Sequence, residues 1–117
     1  MHVEVRKAKD VVIVDLSGKL LAGLGDEILR GVVNELLAEG WKKILLNLSA
    51  VTAIDSAGTG ELVASHRICD QFKAHLKLLN LHEHVRTSLR LSQLLPIFEV
   101  YDEEGVALRH YEEKKAR

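Results

Sequence analysis

The chain has 117 residues, 47% hydrophobic and 28% charged, proportions that fit one soluble globular domain spanning 1–117. Its 16 basic and 17 acidic residues leave a formal net charge of −1, so there is no global field to attract nucleic acid or an anionic membrane, and direct binding to either is not expected. A single cysteine, Cys69, excludes an internal disulfide. The start, MHVEVRKAKD, lacks the apolar segment of a signal peptide, and no apolar run approaches the roughly 20 residues needed to cross a bilayer. The reading is a cytoplasmic protein without membrane insertion.

Changes in apolar period mark the elements. Two extended segments, Val3 to Lys7 and Val11 to Leu16, flank a polar turn at Lys9 and Asp10 and predict a hairpin. LGDEILRGVVNELLAEG then places Leu24, Ile28, Leu29, Val32, Val33, Leu36 and Leu37 at helical spacing, with Gly40 as the stop. KKILLNLSAV is nearly continuous in apolar character, which predicts a strand buried on both faces, as in parallel sheets. From Ser56 to Lys73 the helical period returns, with Ala57, Leu62, Ser65, Ile68, Cys69 and Phe72 along one side. HLKLLNL predicts another strand, and EHVRTSLRLSQL a third helix with Val85, Leu89 and Leu94 inward and Pro96 ending it. IFEVYD predicts a last short strand. The tail from Glu103, carrying Val106, Leu108 and Tyr111, predicts a fourth helix that frays from about residue 112. An N-terminal hairpin followed by alternating strands and helices implies an α/β fold: a mixed sheet packed against about four helices through right-handed crossovers.

The joint IDSAGTG, Ile54 to Gly60, interrupts this apolar pattern with small and polar residues at a strand-to-helix turn, where α/β folds usually build sites. Asp55 or Ser56 can cap the helix by accepting from its first free N–H groups. Gly58 and Gly60 cost that helix about 1 kcal/mol each relative to alanine, which predicts a surface kept flat and open for close approach of a backbone or a phosphate. A nucleophile elbow would need glycine two residues before the serine, where Ile54 stands. His66, about 15 Å along the same helix from Ser56, is out of reach as a base. A nucleotide loop would need a third glycine or a lysine. The remaining reading makes Ser56 a phosphoacceptor, exposed by glycines and placed beside an acid.

LLNLSAVTAIDSAGTGELV resembles the signature segment of the STAS domain family, which includes bacterial anti-sigma factor antagonists. VVIVDLSGKL resembles that family's second strand and turn, and LKLLNLHEHVRTSLRLSQLLPIFEVYDEEGVAL its second half. The resemblance implies a STAS-like mixed β-sheet and a non-catalytic regulator that needs neither cofactor nor metal. It also implies that Ser56, directly after the aspartate, is phosphorylated by a partner anti-sigma factor with serine-kinase activity. Asp55, Ser56, Ala57, Gly58, Thr59 and Gly60 would form the partner surface. The unphosphorylated form would bind the kinase and free a sigma factor, and a phosphatase would reset the switch. The alternative is a docking or scaffold subunit of a stressosome-like complex or of a membrane transporter. The expected state is a monomer or weak dimer. Three positions depart from the common pattern: Ala57 replaces a second hydroxyl, Thr59 replaces leucine, and Leu21 stands where an aspartate commonly follows the leucine of the turn.

Other conspicuous residues have plain readings. His82 and His84 lack companions for a metal site and begin the third helix. Cys69 reads as a small buried packing residue, and Trp41 as a cover for the edge of the core.

Overall fold

The computed structural model describes residues 1–115, with only the backbone described for 113–115. Five strands and four α-helices follow in the order β1 (His2–Ala8), β2 (Val11–Leu20), α1 (Gly25–Ala38), β3 (Lys43–Ile54), α2 (Ser56–Gln71), β4 (His75–Leu79), α3 (Glu83–Leu91), β5 (Val100–Tyr101) and α4 (Glu104–Lys115). The strands form one mixed sheet in sequence order, with β1 antiparallel to β2 and every later pair parallel. The hairpin and the α/β alternation therefore stand as the sequence implies.

Alternation along the central strands feeds two unequal cores. Val12, Val14 and Leu16 of β2, Ile44, Leu46 and Leu48 of β3, and Leu76 and Leu78 of β4 form the larger one with Leu29, Val33, Leu36 and Leu37 of α1, Leu62 and Cys69 of α2, and Val85 and Leu89 of α3. On the opposite face, Val11, Ile13, Leu45 and Leu79 meet only Ala107 and Tyr111 of α4 among the buried residues. Burial of β3 on both faces explains its near-continuous apolar run. Trp41 packs half-buried at the rim of the larger core, and burial pushes the Cys69 thiol up to about 11, which suits packing rather than reactivity.

Several boundaries differ from the sequence reading. Phe72, expected inward, is 46% exposed because α2 ends at Gln71 and leaves Phe72 as its C-terminal cap. Pro96 does not end α3. That helix stops at Leu91, where Gln93 takes φ +61° and the Leu94 N–H turns back to the Leu89 carbonyl at 2.8 Å, while Pro96 opens a separate 3₁₀ turn over Leu95–Ile97. This turn takes Ile97 from the predicted last strand, and Phe98 and Glu99 lie outside any strand, leaving β5 two residues long. α4 runs to Lys115, and residues 116–117 of the tail lie outside the described residues.

The smaller core holds a group no apolar count would place there. Lys77 on β4 is 1% exposed, with its ammonium 4.5 Å from the Tyr111 ring centre, 5.3 Å from that of Tyr101 and 3.7 Å from a Glu99 carboxylate oxygen. Aromatic faces and a carboxylate supply in part what water would supply to the cation. The Tyr111 hydroxyl donates onward, with the carbonyls of Ile44 at 2.7 Å and His75 at 2.9 Å within reach, pinning α4 to β3 and to the start of β4. Replacing Tyr111 by phenylalanine keeps the ring over Lys77 but removes this donor. The expected loss is about 1–2 kcal/mol of unfolding free energy with an unchanged denaturant slope, measured by urea denaturation.

Candidate functional site

The parallel ladder between β2 and β3 ends at the pair Leu20 and Ile54. Both strands therefore release their chains at the same edge, and the β2–α1 loop, residues 21–24, lies beside the joint that starts α2. Asp55 fastens the two together. One carboxylate oxygen accepts the Gly58 N–H at 2.9 Å and caps α2, and the other accepts the Ala22 N–H of the neighbouring loop, also at 2.9 Å. The Asp55 N–H points to the Leu20 carbonyl at 3.4 Å. The bond from Ala22, followed by that from Gly58, holds the Asp55 carboxyl below the usual carboxylate range. Of the two caps the sequence allowed, Asp55 is the one used.

Two glycines let both helix starts press against the end of β2. A Cβ on Gly58 would lie 2.1 Å from the Leu20 carbonyl oxygen, and one on Gly25 would lie 2.5 Å from that of Lys19. Gly58 is thus buried and serves internal packing, a correction to the expectation that it keeps the surface open. Gly60 does face open space, with nothing within 4 Å of an added Cβ. The stretch from Asp55 to Gly60 is divided: Ser56 and Gly60 are exposed, Asp55 and Ala57 half-buried, and Gly58 and Thr59 buried. Thr59 turns inward to place its hydroxyl 3.5 Å from that of Ser88 on α3. Ser56 is the first residue of α2, where the free N–H groups and the helix dipole favour an anion.

Beside the serine runs an open groove of about 490 Å³, lined by Ile54, Ser56, Thr59, Gly60, Ser88 and Leu94 among others. On the other side the loop presents Leu24, 62% exposed, while Leu21 is half-buried. The loop is shaped locally by Asp26, whose Oδ1 accepts the Gly23 N–H at 3.0 Å and the Glu27 N–H at 2.8 Å. Arg30 of α1 reaches the buried carboxylate of Glu61 on α2 with contacts of 2.9 and 2.7 Å, which fixes the two helices to each other. His82 and His84 contribute elsewhere: the His82 ring accepts the His84 N–H at 3.2 Å at the start of α3. No three His, Cys, Asp or Glu side chains are grouped to hold a metal among the described residues, and no described helix is long and apolar enough to cross a membrane. The sequence reading missed Ala22, Gly25 and Ser88, which join the site only through tertiary contacts; the glycine at the start of a helix was the one local signal.

The sequence from residue 2 to residue 107 matches the STAS domain family. The chain belongs to that family. Across 112 residues it is 25% identical to the anti-sigma F factor antagonist of Paenibacillus polymyxa, with 96% of each chain covered. The crystal structure of a candidate anti-sigma factor antagonist from Thermotoga maritima superposes with a TM-score of 0.84 at 28% identity, covering 92% of each chain. The phosphorylated form of the Bacillus cell fate determinant SpoIIAA has the same fold, with a TM-score of 0.72 at 20% identity over 94% of this chain and 99% of that one.

Two stability predictions separate the glycines of this STAS domain. Gly58→Ala should cost about 1–3 kcal/mol because the added methyl meets backbone that cannot yield, whereas Gly60→Ala should gain about 0.5–1 kcal/mol; thermal unfolding of both variants checks the contrast. Because folding lowers the Asp55 pKa, its stabilising contribution is complete above the unfolded value of about 3.9 and is lost as pH falls through the folded value. Asp55→Asn should be less stable than wild type at neutral pH, with the difference shrinking below about pH 4, as followed by denaturation at a series of pH values.

Proposed function

We propose that this STAS domain is an anti-sigma factor antagonist, non-catalytic itself, whose Ser56 is the acceptor of a regulatory phosphate. The unphosphorylated form binds an anti-sigma factor with serine-kinase activity and so frees a sigma factor; the phosphorylated form is released, and a phosphatase restores it. The observation that carries this reading is the exposed Ser56 at the first position of α2, beside a carboxylate fully engaged in holding the loop and the helix together. The likeness to the Paenibacillus polymyxa antagonist over nearly the whole chain supports it.

The switch follows from charge. A phosphate adds about −1.5 to −2 at pH 7, and the helix N-terminus accommodates it without unfolding. A partner surface shaped for a neutral hydroxyl must then meet a dianion next to Asp55, and like charges or unpaired desolvated ones cost several kcal/mol. The partner surface comprises exposed Ser56 and Gly60 with the half-buried Asp55 and Ala57, while buried Gly58 and Thr59 set their geometry from beneath.

The direct test incubates the protein with ATP and each serine-kinase-type anti-sigma factor of its own organism, then maps phosphate by mass spectrometry. Phosphate on Ser56, absent from Ser56→Ala, is expected; transfer to another residue or to none would remove the reading in favour of a docking subunit. Ser56→Asp should fold with an unchanged circular dichroism spectrum and bind the kinase at least about tenfold more weakly by calorimetry, a difference of about 1.4 kcal/mol or more.

A further inference from the structure

The two edges of the sheet are finished differently. β5 is blunted by its length of two residues, a common protection against unwanted pairing. β1 has seven residues, contains no proline and pairs with β2 in unbroken register from His2 to Ala8. Among the described residues β1 is bonded to β2 alone. Alternate backbone N–H and C=O groups along its other side therefore point outward. Val5, at the middle of the strand, is 48% exposed.

We propose that β1 is a self-association edge: a second copy of this chain pairs antiparallel with it about a two-fold axis through Val5. With the α1–α3 faces of both copies on the same side, only residues of equal parity can face each other. Centring on Val5 sets Glu4 of each copy opposite Arg6 of the other, Val3 opposite Lys7 and His2 opposite Ala8, so all seven residues pair. Centring on Glu4 or Arg6 sets like charges on the axis and shortens the ladder. Arg6 is already ion-paired with Asp15 at 3.0 Å and Glu104 at 2.8 Å, and Glu4 contacts the His2 ring at 3.2 Å, so the pair across the two copies competes with contacts inside each chain. Such an exposed pair contributes little energy. Its role is to select register, while backbone bonds and the paired valines supply the affinity of a weak dimer. Since β3 runs parallel to β2 and antiparallel to β1, the two-fold sends the Ser56 ends of the two copies in opposite directions and leaves both free.

The test combines light scattering with register-specific cross-linking. Across a concentration series the mass should rise from the 13.1 kDa of one chain toward twice that value, and Val5→Lys, which sets two ammoniums face to face, should abolish the rise while leaving the melting temperature unchanged. Val5→Cys should form an intermolecular disulfide on mild oxidation, because directly opposed residues stand about 4.5–5.5 Å apart at Cα, within disulfide reach; Cys69 is buried and does not compete. Val3→Cys and Lys7→Cys should not cross-link alone, each being about 13 Å out of register with its own copy, but should do so when mixed. A mass that stays at one chain together with no Val5→Cys disulfide overturns the proposal. So does a dimer that persists in Val5→Lys without that disulfide, since its interface then lies elsewhere.

Discussion

The backbone at the end of β2 is pressed between the first turns of two helices, and the rest of the site depends on that compression. At Lys19 and Leu20 the carbonyls approach Gly25 of α1 and Gly58 of α2 so closely that no side chain fits at either glycine. The approach brings the Ala22 N–H and the Gly58 N–H within reach of one carboxylate, that of Asp55. The end of β2, the loop that follows it and the distant start of α2 are thereby set by steric exclusion first and hydrogen bonding second. Neither suffices alone. A carboxylate without the close approach would cap only its own helix, and the close approach without the carboxylate would leave the loop N–H unsatisfied by protein.

This arrangement holds Ser56 on a rigid base. Glu61 is buried and ion-paired to Arg30, which ties α2 to α1, and Thr59 is turned toward α3. The serine presents its hydroxyl from a surface that has little freedom to rearrange. Binding through such a surface orders few groups, so less of the interaction energy is consumed in ordering. Under the proposed switch, a change of charge there would act on the partner directly rather than through a shift in shape.

Much of this was legible in the sequence because the relevant signals are local. The double-sided burial of β3, the helical spacing of α1 and a side-chain cap at Asp55 or Ser56 each follow from neighbours within a few residues. What was not legible depends on distance. Gly58 reads as an opening in the surface until Leu20, 38 positions earlier, is found against it. Phe72 reads as core until the helix proves to end one residue before it. Pro96 reads as the stop of α3, yet the chain has already turned at Gln93, whose left-handed conformation nothing nearby announces. Nothing in HLKLLNL announces that Lys77 is buried, because the tyrosines that enclose it come from β5 and α4.

The anchoring of α4 has a bearing on where this domain ends. The family match stops at residue 107, yet Tyr111 lies four positions beyond and is the side chain that bonds to the carbonyls of Ile44 and His75. A shortened chain ending at the family boundary would keep Ala107 and lose that ring. Val11, Ile13 and Leu45 would then border an uncovered strip of sheet, and the Lys77 ammonium would be left with one aromatic face in place of two. For this chain the physical boundary of the domain is set by a phenol and two carbonyl oxygens, and it falls later than the boundary of the family resemblance.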